Sequence, residues 1–359
     1  LSGTIEAGDD IDDANLYELL QWEQVDGPAA AIANEYNDET LVYLPGDAPD
    51  GMELGFRLTA TLGEVSSSGD VTVAILPATP TGVMDDAVDV LALGASVASR
   101  ADNGGYWLGT ATGTFARAAD GAVAFSEELG SRITAIQPFY DGTVLIALPD
   151  LQTVSSFNPN NNLVTPFLTE LTGGGALGLV STIAVVENDA YFGTEGGMIV
   201  YYDGPDDAEP ELTIALYELG ATPTALTVGD APVPPDVDEG EDGLVLYCGT
   251  ADGNIVQIGL TAVELGEGPE LGVPTPYLSI PGTGAVTGLA VDGFGNMWVA
   301  KAGTLYLVRR LYEEAPTIVR SIDAPAGLGG FAGLRTDDND ALTWIDPSTS
   351  RVASLRTYE

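Results

Sequence analysis

Tyr106-Trp107-Leu108-Gly109-Thr110-Ala111-Thr112-Gly113-Thr114-Phe115 is the stretch on which the fold turns. It reads as an apolar strand closing in Gly-Thr, a glycine turn, and the start of a second strand. The unit returns as Tyr191-Phe192-Gly193-Thr194-Glu195-Gly196-Gly197-Met198-Ile199-Val200. It returns again as Leu246-Tyr247-Cys248-Gly249-Thr250-Ala251-Asp252-Gly253-Asn254-Ile255-Val256. A fourth copy, Met297-Trp298-Val299-Ala300-Lys301-Ala302-Gly303-Thr304-Leu305-Tyr306, drops the first glycine. Weaker copies lie at 145–157 and 342–352.

Each copy follows an apolar strand-like run, at 88–97, 133–139, 181–186, 224–228, 286–291 and 331–335. Copies spaced roughly 40 to 55 residues apart are the signature of propeller blades, each a four-stranded meander. One meander leaves an apolar face bare, and copies joined in a ring cover one another. The expected blades are 83–128, 129–172, 173–219, 220–282, 283–324 and 325–359. The last is too short for four good strands, so a strand from near Val83 is expected to close the ring. The run Gly288-Leu289-Ala290-Val291-Asp292-Gly293-Phe294-Gly295-Asn296-Met297-Trp298-Val299-Ala300 resembles a blade of the NHL, lactonase-like and streptogramin-lyase-like propellers. Propellers with this signature do many different jobs, so the resemblance speaks to fold more than to function.

Residues 1–77 read as a separate unit, with strand-like stretches at 17–24, 40–44, 54–62 and 70–76. Leu54, Phe56 and Leu58 alternate with polar or small residues, as do Val71, Val73 and Ile75; one apolar face per strand is what a sandwich needs. Trp22-Glu23-Gln24-Val25-Asp26-Gly27-Pro28-Ala29 resembles the strand and turn of PKD-type and REJ-like domains. Leu54–Thr61, Ser67–Val73 and the opening Ile5–Asp10 are similar to three further segments of those domains, in the same order. The resemblance implies an immunoglobulin-like sandwich used outside cells as spacer or adhesive module. The middle loop is short and departs from the family turn, which puts in doubt any cation site there. The expected fold class is therefore all-β: an immunoglobulin-like β-sandwich at 1–77, a linker at 78–82, and a β-propeller of six blades at 83–359.

Charge is the loudest feature of the composition. The chain has 359 residues, 54 Asp and Glu against 11 Lys and Arg, and a net charge of −43; Lys301 is its one lysine. Such a polyanion repels nucleic acid and anionic membranes. Spread over the surface of a folded chain this size, its carboxylates would sit about 16 Å apart, beyond a Debye length of about 8 Å in saline. The charge fits a halophilic or acidic marine origin without demanding molar salt. Cys248, the single cysteine, rules out an internal disulfide and reads as a buried thiol. No run of apolar residues is long enough to span a membrane as a helix. The first residue is Leu1, and a removed secretion signal is the expected explanation.

The chain contains no histidine. That excludes Ser-His-Asp and Cys-His triads and histidine-ligated metals, and it removes the histidine on which activity in streptogramin lyases relies. Trp22, Trp107, Trp298 and Trp344 sit in strand patterns and read as core. Clustered carboxylates suit hard cations such as Ca²⁺. The candidate metal ligands are Asp9, Asp10, Asp12 and Asp13, then Asp337, Asp338 and Asp340; further acidic runs lie at 206–207 and 236–242. No catalytic residue and no other cofactor is expected.

Three functions follow, in order. The first is a non-enzymatic binding, adhesion or display module on a cell surface, whose partner is a protein or glycan. The second is a structural subunit of an extracellular assembly (surface layer, filament or virion spike) that binds copies of itself. The third is a Ca²⁺-dependent propeller hydrolase.

Overall fold

A computed structural model describes residues 20–28, 30–32, 35–36, 40, 42–43, 53–62, 65–74, 95–101, 105–119, 122–171, 175–186, 188–202, 216–230, 244–261, 270–292, 295–310, 315–324, 330–336, 341–346, 348–349 and 351–356. Apart from a 3-10 turn at Pro149–Leu151, the regular elements among them are strands. No helix among them is long and apolar enough to cross a membrane. The chain divides into two compact units: Leu1–Thr79 with Val233–Glu239, and Pro80–Pro232 with Gly240–Glu359.

In the first unit, β1 (Leu20–Asp26), β4 (Glu53–Leu62) and β5 (Val65–Ala74) form one antiparallel sheet, and β2 (Ala31–Ile32) pairs with β3 (Val42–Tyr43) in another. Trp22, Leu54 and Phe56 are buried, with Ile32, Val42, Leu58 and Val73 packed on them. Period two puts these residues on one face. The other face carries the cross-strand pair Arg57–Asp70, 2.7 Å apart. Gln24 explains part of the motif around it. Its amide nitrogen donates to the carbonyls of Asp26 (3.0 Å) and Pro28 (2.6 Å), and its amide oxygen accepts from the N–H of Ala30 (2.8 Å). The side chain thus staples the turn. Gly27 sits there at φ +89°, where a Cβ would lie 2.6 Å from the Glu53 carbonyl.

The second unit is a succession of antiparallel meanders. They are β6 (Ala95–Arg100) to β7 (Tyr106–Thr110), β8 (Thr114–Ala119) and β9 (Ala122–Glu128); then β10 (Ala135–Pro138) to β11 (Val144–Leu148), β12 (Thr153–Asn158) and β13 (Leu163–Leu168). A small hairpin follows, β14 (Glu170–Leu171) with β15 (Gly175–Ala176). The third meander is β16 (Val180–Val186), β17 (Asp189–Thr194), β18 (Met198–Tyr202) and β19 (Leu216–Glu218). The fourth is β20 (Pro223–Asp230), β21 (Leu244–Thr250) and β22 (Asn254–Thr261), with β23 (Glu270–Leu271) and β24 (Thr275–Ser279) both on β22. The fifth is β25 (Val286–Val291), β26 (Met297–Lys301), β27 (Thr304–Arg309) and β28 (Thr317–Asp323). The last is β29 (Ala332–Thr336), β30 (Ala341–Asp346) and β31 (Arg351–Arg356). The run expected at 88–97 is described only from Ala95, and the described strand runs from there to Arg100. A closing strand near Val83 lies outside the described residues.

These sheets form a ring. The first strand of each meander packs on the first strand of the next, β6 on β10, β10 on β16, β16 on β20, β20 on β25, β25 on β29, and β29 returns to β6. This is the arrangement of a β-propeller. Its core is divided accordingly, into one apolar cluster per sheet interface. Trp107 and Phe115 meet Ile136, Ile146 and Phe157; Trp298 and Leu305 meet Leu334, Leu342 and Trp344. Closure places Ala98, Leu108 and Ala116 of the first sheet with Ile345 and Val352 of the last. Successive residues of a strand face opposite ways, so Leu108 serves one interface and Trp107 the other. Both faces of each second strand are therefore buried, which is why these strands read as unbroken apolar runs.

The recurring Gly-Thr belongs to this packing. A Cβ on Gly109 would lie 2.5 Å from Ile133 of the next sheet, and one on Gly249 would lie 2.4 Å from Val286. The following threonine closes the turn, its hydroxyl accepting the N–H of Thr114 after Thr110 (2.8 Å), of Met198 after Thr194 (3.2 Å) and of Asn254 after Thr250 (3.2 Å). Asp346 holds the same place in the last sheet and accepts from Ser348 and Thr349.

Candidate functional site

The first strands line the axis of the ring, and four carry a hydroxyl at a bulge in their pairing. Ser96, Ser181, Thr224 and Thr287 each fall where the register with the second strand slips by one residue. At Ser181, Thr224 and Thr287 the bulge turns the extra hydroxyl toward the following sheet, whereas Ser96 faces the carbonyl of Gly109 in its own sheet. Ser181 donates to the carbonyl of Pro223 (2.7 Å), Thr224 to Val286 (2.6 Å) and Thr287 to Phe331 (2.5 Å). Thr134, just before β10, donates to Val180 (2.6 Å). In the last sheet the matching residue is Ala332, which has no hydroxyl. Among the described residues the belt ties four of the six neighbouring pairs of first strands together.

Toward the far ends of these strands the axis encloses a cavity of about 110 Å³. Gln137 of β10, Thr227 of β20, and Arg335 and Thr336 of β29 supply its polar lining; Ala, Val and Leu supply the rest. Among the described residues, no carboxylate lines it. Arg335 reaches across the ring. One guanidinium nitrogen donates to the carbonyl of Leu334 (3.0 Å) and another to the carbonyl of Ile183 in β16 (3.1 Å). Part of its surface opens on the cavity while protein surrounds it on every side, and this desolvation pushes its pKa down to about 10. The hydroxyl of Thr336 donates to Val291 (2.8 Å). The amide oxygen of Gln137 is buried without a hydrogen-bond partner.

Two other cations are buried between the fourth and fifth sheets. Lys301 stands at the turn-closing threonine position, and its ammonium donates to the carbonyls of Ile280 (2.6 Å) and Gly253 (3.2 Å). Arg310 donates to the Tyr247 hydroxyl (2.6 Å) and to the carbonyls of Gly295 (2.5 Å) and Asp230 (3.2 Å). Its guanidinium also lies over the Tyr247 ring, 5.1 Å from the centroid. Both tie sheets together. Cys248 is buried in the core between the third and fourth sheets, and burial pushes its thiol up to about 12. Trp22, Trp107, Trp298 and Trp344 are all buried, as core residues are.

Asp9, Asp10, Asp12, Asp13, Asp337, Asp338 and Asp340 lie outside the described residues, as do the acidic runs at 206–207 and 236–242. Among the described residues, no group of three or more Asp, Glu or Cys side chains is placed to hold a metal. The hydroxyl belt and Arg335 were absent from the sequence reading. The available signal for the belt was a hydroxyl residue directly after an apolar one at every blade start but the last, as in Ile133-Thr134, Val180-Ser181 and Val286-Thr287.

No protein-family model and no curated protein matches the chain. Solved structures that resemble it include a selenomethionine-substituted virginiamycin B lyase from Staphylococcus aureus, at 11% identity and a TM-score of 0.49 over 94% of this chain and 100% of that one. The β-propeller domain of Myceliophteria thermophila Cps50 (Swd1) gives 12% and 0.46 over 74% and 96%. A nidogen/laminin complex gives 12% and 0.45 over 70% and 88%.

Proposed function

We propose that this chain is an exported, non-enzymatic binding or display module: an immunoglobulin-like domain followed by a six-bladed propeller, acting on a cell surface toward a protein or glycan. The observation that carries this reading is the lining of the axial cavity. A propeller hydrolase working through Ca²⁺ would need several carboxylates converging there, since hard cations take oxygen anions. Among the described residues the polar groups are one guanidinium, one amide and two hydroxyls. A guanidinium opposes a divalent cation at the same place. The scarce buried cations Lys301 and Arg310 bind backbone carbonyls and a phenol, which holds the scaffold together rather than preparing a nucleophile. Acidic surface charge of −43 suits export into salt water and a partner with cationic or cation-bridged groups.

The test pairs two measurements on the full chain. Lactone, ester and phosphoester hydrolysis is followed with Ca²⁺ and with a chelator, and binding to arrayed glycans and to surface proteins of the producing cells is read alongside. Saturable binding without turnover is the expected result. Turnover that needs Ca²⁺ and vanishes with the chelator would reverse the reading in favour of a hydrolase. Concentration-dependent growth into regular oligomers, without binding to other surfaces, would favour a structural subunit.

A further inference from the structure

We infer that the axial cavity is a binding site for one small monovalent anion, of the class of chloride or formate, held by Arg335 with Gln137 and Thr227. The argument starts from charge. Arginine stays protonated in proteins, so the guanidinium brings a full positive charge into a space walled largely by Ala, Val and Leu side chains. A charge so placed is costly unless a counter-charge sits beside it. None does. Two of its N–H groups go to the carbonyls of Leu334 and Ile183, which are dipoles and leave the net charge intact. Its pKa falls through burial alone, with no compensating carboxylate. The contrast with the exposed arginines is sharp. Arg132 has Asp150 at 3.1 Å and Glu195 at 2.7 Å, and Arg57 has Asp70 and Glu23. Among the described residues, no carboxylate lines the cavity on which Arg335 opens.

Geometry supplies the rest of the site. The cavity of about 110 Å³ has room for a halide or a formate. Gln137 lines it, and its amide oxygen lacks a hydrogen-bond partner. Turning that amide by half a revolution presents its NH₂ instead, and oxygen and nitrogen exchange places at no steric cost. The Thr227 hydroxyl can turn its proton to the same point. One positive charge selects one negative charge. A dianion would leave a net charge among aliphatic walls.

The experiment compares thermal melts in sodium chloride and sodium gluconate at equal concentration, for the native chain and two variants, with crystals grown in sodium bromide. Chloride is expected to raise the native Tm by roughly 5 °C over gluconate at a hundredfold excess over Kd. In Gln137→Glu the new carboxylate occupies the anion's place, so Tm is high in both salts and the chloride effect vanishes. Arg335→Gln, if it folds, also loses the chloride effect. Bromide is expected as an anomalous peak against the Arg335 guanidinium. A cavity holding only water in the bromide crystals would overturn the inference. So would a chloride effect of the same size in the native chain and Gln137→Glu.

Discussion

The ammonium of Lys301 donates to the carbonyl of Ile280 at 2.6 Å, across the interface between the fourth and fifth sheets. The three clearest copies of the repeat have threonine at this position and use it to close their own turn. Here the longer side chain leaves its own turn and caps carbonyls of the preceding sheet, the second being that of Gly253 at 3.2 Å. Lys301→Met keeps the stem and removes the donors. Hydrogen bonds to a charged group contribute about 1.5–3 kcal/mol, so the variant should lose about 2 kcal/mol. Urea unfolding checks this, as a lower midpoint at an unchanged slope.

Gly249 marks where two sheets come nearest. Gly249→Ala would force a methyl to 2.4 Å from Val286 and should cost about 1–3 kcal/mol by overpacking. Gly259 also lies in a strand, but a Cβ there meets nothing within 4 Å, so Gly259→Ala should stay within about 0.5 kcal/mol of the native chain. Equal losses in the two would show that the glycine of the repeat is not there for inter-sheet contact.

The hydroxyl belt should be measurable one link at a time. Thr287→Val keeps the shape of the side chain and leaves the Phe331 carbonyl without its donor. A loss of about 1 kcal/mol is expected, with the same for Thr224→Val at Val286. Thr224 bonds the carbonyl of Val286, next to Thr287 in the chain, so the two links couple and the double variant should depart from the sum of the two; denaturant titration of all three reads this out.

Asp252 gives a prediction in pH. The Thr250 hydroxyl holds its carboxylate below the usual 3.8, with Asn254 adding to the effect. A depressed folded pKa means stability that is present above the unfolded value and is lost as pH falls through the folded one. Carboxyl NMR should show Asp252 titrating below 3.8, and Thr250→Val should return the midpoint toward it. A midpoint that ignores the substitution would show that Thr250 is not the cause.

Cys248 should be inert while the chain is folded. Its burial and a thiol pushed up to about 12 leave almost no thiolate at neutral pH. Labelling by a thiol reagent should track the unfolded fraction through a urea titration. Rapid labelling without urea would contradict the core placement.

Repetition made the ring legible. Gly109, Gly193 and Gly249 are small because a neighbour's side chain occupies the space, and the same contact recurs at each interface, so the sequence repeats it. Trp22, Leu54 and Phe56 were legible through period two. The hydroxyl belt was not, because Ser181, Thr224 and Thr287 each read as ordinary strand residues until the bulge that turns them is seen. The axial site was illegible for a different reason. Gln137, Thr227 and Arg335 lie far apart in the chain, and each is an ordinary residue in its own strand; only closure of the ring brings them to one cavity.

Closure is also where the account is most open to direct measurement. Leu108 and Ala98 in the first sheet pack with Ile345 and Val352 in the last, although most of the chain separates them. A methyl-labelled sample of the full chain should give nuclear Overhauser cross-peaks between these two groups, since nothing but a closed ring brings them together. Cross-peaks confined to consecutive sheets, with none joining the first to the last, would mean an open array and contradict the propeller.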